Sequence, residues 1–193
     1  RVAETGLTPM DLSRAMHFAT VQALENFAGE LALFARPGMA LLLKGALGSG
    51  KSTLARAFIR ALAPGHDFDV PSPTFTLVQA YDETRLPVAH ADLYRIGSAS
   101  EIDELGLDDL LKTHVLVVEW PEAILDWDIA DVLLVELTGQ GAYRDAVLTV
   151  TGAWALALAR NEAIHAFLAN TPWKVATRRF LEGDASFRRY ESL

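Results

Sequence analysis

The segment Gly45–Ser52, GALGSGKS, constrains the fold more than any other part of the chain. It fits the pattern G-x-x-x-x-G-K-[ST], with Gly45, Gly50, Lys51 and Ser52 at the fixed positions. Glycines let a backbone curl until several N–H groups point inward at one anion. A helix that starts there adds the positive end of its dipole. Lys51 is placed to neutralise β- and γ-phosphates, and Ser52 to offer its hydroxyl to Mg²⁺. The plainer explanation is a chance glycine turn, which average residue usage yields in roughly one chain of this length in a hundred. The flanks argue against chance. Met39–Lys44 (MALLLK) reads as a buried strand, and Lys51–Leu62 as a helix stopped by Pro64-Gly65. Strand, glycine loop and helix in this order predict an α/β fold of the P-loop NTPase kind. Its sheet should be open, mostly parallel and flanked by helices.

The rest of the chain can be read around that core. Spaced apolar residues (Met16, Val21, Leu24, Phe27, Leu31) predict mostly helix over residues 10–35, broken by Pro37-Gly38. Thr74–Tyr81 and Val88–Ile96 read as an antiparallel hairpin. Ser100–Lys112 reads as one acidic helix and His114–Trp120 as a second apolar strand. Asp131–Thr138 and Arg144–Thr151 read as two further strands, followed by a helix over Ala153–Ala169.

Two places beyond the glycine loop carry candidate chemistry. Glu119 ends the apolar run VLVV, where a strand-tip carboxylate beside a P-loop holds Mg²⁺; an ordinary solvated strand end has the same look. In HADLYR, His90, Asp92 and Tyr94 share one face of an alternating strand. They fit a group that orients an attacking water and fit equally a polar cross-strand cluster. Trp120 suits nucleotide stacking or plain burial, the usual fate of Trp.

Charge narrows the partners. The 193 residues carry −8, but residues 1–170 hold 12 basic and 22 acidic side chains, a net −10. Phosphate contacts need clustered Lys and Arg, so a nucleic-acid role is expected only through a partner. The absence of cysteine excludes disulfides and thiolate zinc sites, and a reducing cytoplasm is the natural compartment. No apolar run approaches the ~20 residues of a membrane span. The opening RVAETGLTPMDLSRAM lacks the apolar stretch of a signal peptide and an initiator Met.

In this order, GALGSGKSTLARAFIRAL, PSPTFTLVQAY, HADLYRI, EIDELGLDDLL and VLVVEWPE resemble the TsaE family over about residues 15–152. The resemblance implies a Mg²⁺-dependent ATPase, weak alone, that works with the TsaD and TsaB proteins. That assembly forms N6-threonylcarbamoyladenosine at position 37 of tRNAs reading ANN codons, and the ATPase meets tRNA only indirectly. By resemblance, Lys51, Asp92 and Glu119 are the catalytic residues, and Ser52 and Glu119 hold the metal. The expected nucleotide contacts are Gly45, Ala46, Leu47, Gly48, Ser49, Gly50, Lys51, Ser52 and Thr53, with Thr74 and Trp120. Arg144 joins them through a loose match of Gly141–Arg144 to a late family segment. Ala46 stands where the family commonly has Asp, and a family Thr near residues 20–26 maps to Glu25 or Thr20. Two other functions share these residues: a small-molecule kinase, and a nucleotide-switched binding module.

Residues 171–193 are expected to lie outside this domain. Charge changes sign there, and Pro172 interrupts the preceding helix. RRFLEGDASFRRYESL resembles the opening of aminoglycoside-phosphotransferase-like sugar kinases of cell-wall recycling. The segment then reads as a linker and the start of a fused second domain; a basic disordered tail is the alternative.

Overall fold

A computed structural model describes residues 12–63, 65, 69–139, 141, 143–174, 176–181 and 190–192. Among the described residues, seven strands form one sheet in the order β1-β7-β6-β2-β5-β4-β3. The strands are β1 (Leu12–Phe18), β2 (Ala40–Gly45), β3 (Val78–Tyr81), β4 (Val88–Asp92), β5 (Val115–Glu119), β6 (Val132–Thr138) and β7 (Arg144–Val150). β6, β2, β5 and β4 are parallel neighbours, while β7 and β3 run against them. The helices are α1 (Val21–Phe34), α2 (Lys51–Ala61), α3 (Ala99–Glu104), α4 (Leu107–Leu111) and α5 (Gly152–Leu168). This is the open, mostly parallel α/β sheet expected from the sequence.

Successive residues of β2 point to opposite faces, which splits the core in two. Leu41 and Leu43 join α1, α2 and α5 through Leu24, Phe58, Ile59 and Trp154. Ala40 and Leu42 face the other way, onto Ile102, Leu107 and Ile124 of α3, α4 and the 3-10 turn Pro121–Ile124. Each fully buried Leu or Phe contributes about 1.5–3 kcal/mol by leaving water. A central strand covered on both sides by such residues is a rigid base for the loop at its end.

Three expectations are corrected. The helix expected over residues 10–35 begins only at Val21, where Thr20 caps it by accepting the Ala23 N–H at 3.1 Å. Residues 12–18 are instead a strand: Met16 and Phe18 turn inward, Ala15 and His17 stay exposed, and β7 supplies the pairing. The expected single helix over Ser100–Lys112 is two, parted at Gly106 with φ +62°. The hairpin is shorter than expected. Thr74–Leu77 and Leu93–Ile96 leave the ladder as turns, and Leu77 takes φ +64°.

Past α5 the chain still touches the domain. Arg178 is buried, donates to the Asn161 side chain of α5 and lies over the Phe34 ring of α1. Beyond it, β8 (Arg179–Leu181) and β9 (Tyr190–Ser192) form a separate antiparallel pair.

Candidate functional site

The loop Gly45–Gly50 joins β2 to α2 at the end of the parallel strands. Gly45 has φ +146°, and a Cβ there would sit 2.3 Å from the Leu137 carbonyl oxygen. Gly50 has φ +106°, and its Cβ would press within 3.2 Å of Leu24. Only glycine lets the loop pass this close to β6 and α1. No side chain caps the N-terminus of α2, so its first-turn N–H groups can serve an anion.

Lys51 folds back over this loop. Its Nζ donates to the Gly45 and Ala46 carbonyls at 2.7 and 2.9 Å and lies 3.7 Å from the centre of the Trp120 ring. Burial pushes the ammonium below its usual pKa, and the carboxylates of Glu119 and Asp92 act against that shift. Trp120 reaches this position through a left-handed backbone, φ +57°, and packs on Tyr94 with ring centres 4.7 Å apart.

Two carboxylates stand side by side at the strand ends, because β4 and β5 pair Asp92 with Glu119. Ser52 donates to Glu119 Oε2 at 2.6 Å, and His90 Nε2 meets Glu119 Oε1 at 3.1 Å. Burial, the largest single influence on the Glu119 carboxyl, pushes its pKa up. Hydrogen bonds from His90, Ser52 and Ser72 and the nearby charge of His90 act together against that, and the group lies below its ordinary value. Asp92 accepts from Ser72 at 2.8 Å and from the Tyr94 N–H at 3.1 Å.

These groups line a cavity of about 250 Å³. Of the residues anticipated from sequence, Leu47, Gly48, Gly50, Lys51, Ser52, Thr53, Thr74, Asp92, Glu119, Trp120 and Arg144 border it. Gly45, Ala46 and Ser49 border a second hollow beside Lys44, Glu136 and Tyr143. Arg144 donates to the carbonyls of Gly48, Gly141 and Tyr143, at 3.1, 2.8 and 2.7 Å, and so braces the loop from behind. Thr20 is occupied as the cap of α1. Ser72 falls within the segment PSPTFTLVQAY that the sequence singled out, but only Thr74 was given a role there. Its hydrogen bond to Asp92 joins two segments that come together only in the folded chain.

A parallel β-strand, a glycine loop and a helix bearing Lys and Ser, with a carboxylate at the tip of the adjacent strand, define a P-loop NTPase fold. The profile described as "Threonylcarbamoyl adenosine biosynthesis protein TsaE" matches residues 18–146. The chain belongs to the TsaE family.

Among curated relatives, the "tRNA threonylcarbamoyladenosine biosynthesis protein TsaE" of Rickettsia bellii is 39% identical over 100 residues, covering 52% of this chain and 69% of that one. The protein of the same name from Bacillus subtilis is 43% identical over 94 residues, 48% and 57% of the two chains. That of Aquifex aeolicus is 30% identical over 120 residues, 62% and 86%. The solved structure titled "Crystal structure of Bacillus subtilus YdiB" superposes with a TM-score of 0.65 at 26% identity, over 81% of this chain and 98% of that one.

Proposed function

We propose that the protein is a Mg²⁺-dependent ATPase that serves tRNA threonylcarbamoyladenosine formation together with TsaD and TsaB. The observation that carries the ATPase reading is the 2.6 Å contact of Ser52 with Glu119 at the lip of the glycine loop, beside Lys51. A hydroxyl and an ionised carboxylate fit Mg²⁺, which takes one or two protein oxygens and fills its shell with water and phosphate. Ser52 and Glu119 would hold it, and it would supply positive charge to neutralise the phosphates. The loop N–H groups and Lys51 bind the phosphates, with Thr74 at the γ end. Arg144 keeps the loop in shape through Gly48. Asp92, held by Ser72 and the Tyr94 N–H, accepts a hydrogen bond from the attacking water and orients it. Trp120 covers the lysine and excludes bulk solvent.

The pathway assignment is supported by family membership and by the names of the relatives. The acidic body supports indirect contact with tRNA. No helix among the described residues is long and apolar enough to cross a membrane, and we place the work in the cytoplasm. For residues 171–193 we propose a linker and the opening of a phosphotransferase-like domain on the resemblance of the sequence alone; residues 182–189, which carry most of it, lie outside the described residues.

The test measures ATP turnover with and without Mg²⁺, and with and without TsaD and TsaB. The reading holds if turnover needs the metal and rises with the partners. Partner-independent turnover would favour a stand-alone kinase or hydrolase. Sub-micromolar tRNA binding by the isolated chain at physiological salt would overturn the indirect role.

A further inference from the structure

Glu119 divides its two oxygens between separate partners. Oε2 faces Ser52 at 2.6 Å, and Oε1 is held by His90 at 3.1 Å. Both side chains of the His90–Glu119 pair are only 1% exposed, so water does not compete for that bond. An ionised carboxylate can only accept, which puts the imidazole hydrogen on Nε2. The ring is set by the sheet: His90 pairs with Gln79 on one side and Val117 on the other, two positions before Asp92 on the same face. Its Nδ1 has no hydrogen-bond partner, so the bond to Glu119 is its one polar anchor.

We infer that His90 is a positioning residue that limits Glu119 to a single metal-facing oxygen and thereby favours Mg²⁺ over Ca²⁺. The inference rests on the reading in which Ser52 and Glu119 hold the cation. Ca²⁺ takes six to eight oxygens in flexible geometry and accepts a carboxylate through one or both of them, whereas Mg²⁺ demands a compact, near-ideal octahedron that the narrow bite of a two-oxygen carboxylate distorts. A carboxylate with one oxygen tied inward suits the second ion and handicaps the first. Groups that orient a ligand in this way change metal affinity by about 10–100-fold when removed.

The experiment compares His90→Gln, whose amide reaches about as far as Nε2, with His90→Asn, whose amide falls short of Glu119. Calorimetry gives the affinity for a non-hydrolysable ATP analogue with Mg²⁺ and with Ca²⁺, and melting curves report on folding. His90→Asn should lower the Mg²⁺-dependent affinity by about 10-fold and the Ca²⁺-dependent affinity much less, while His90→Gln keeps the wild-type preference. Equal losses with both ions, a changed melting temperature with unchanged preference, or identical behaviour of the two variants would overturn the inference. His90→Leu supplies a variant with no donor at all if the asparagine does not fold. Glu119→Gln is the control for the underlying reading: unchanged affinity with either ion would remove Glu119 from the metal site, whatever the His90 variants do.

Discussion

Among the described residues two histidines pair with glutamates, and the shorter pair matters less to the site. His165 of α5 meets Glu30 of α1 at 2.7 Å, with the histidine 52% and the glutamate 15% exposed. His90 meets Glu119 at 3.1 Å with both side chains sealed from water. At the first pair, solvent screens the charges and competes for the hydrogen bond. At the second, a lost partner leaves a buried carboxylate without compensation. Their surroundings differ too. Glu30 also accepts from Asn161 at 2.9 Å, and Asn161 takes Arg178, so that network fastens α1, α5 and the following segment. Next to Glu119 stand a left-handed Trp120 and His90, whose Nδ1 has no hydrogen-bond partner. One network is nearly saturated and structural. The other leaves a buried imidazole nitrogen without a partner beside the cavity.

The sharpest way to break the comparison is at the loop. Lys51→Ala should leave the fold intact and weaken nucleotide binding by at least ~30-fold, the low end for truncating a buried charged contact; calorimetry beside a melting curve decides. Next, Glu119→Gln and Asp92→Asn should each lower turnover in the assembled complex by at least ~10-fold, while Glu30→Gln leaves it unchanged. Third, urea unfolding should show His90→Ala costing about 1–3 kcal/mol and His165→Ala within about 0.5 kcal/mol of wild type.

A pH series sharpens the same contrast. The native Glu119 carboxyl lies below its ordinary value of 4.5, so its stabilising contribution is complete above that pH and fades as the pH falls below it. The stability gap between wild type and Glu119→Gln should therefore narrow in acid, as followed by chemical denaturation. The smallest effect is expected at the far end. The charge reversal alone suggests that a chain cut after Asn170 loses nothing. Burial of Arg178 against Asn161 and Phe34 instead predicts a melting point lower by about 2–4 °C, what ~1 kcal/mol amounts to in a chain of this size. Differential scanning calorimetry distinguishes the two.

What could be read in advance was local in the chain. The glycine loop, Lys51 and Ser52 follow from eight consecutive residues, and Glu119 from the end of an apolar run. β1 was obscured because Met16 fits both a helical and an alternating spacing, and its pairing partner lies at Arg144–Val150. The break at Gly106 needed knowledge of its positive φ. Ser72 and the brace of Arg144 on Gly48 join segments far apart in sequence, so no local pattern announces them. The Glu30–Asn161–Arg178 network was equally hidden, because surface-like residue types carry no mark of what will later cover them.

The position of β2 in the middle of the sheet has a consequence for how the protein is made. β2 is complete at residue 45, but its neighbours β5 and β6 end at residues 119 and 138. At about 5–20 residues per second, a ribosome delivers Glu119 roughly 4–15 s after the glycine loop has emerged. Until then the loop has no sheet to brace it and no carboxylate across from Ser52. The nascent chain therefore cannot be rescued early by binding nucleotide. On the proposed reading, a nucleotide would become a stabilising ligand only once most of this domain has left the exit tunnel, so its capture would report that synthesis has passed the last parallel strand.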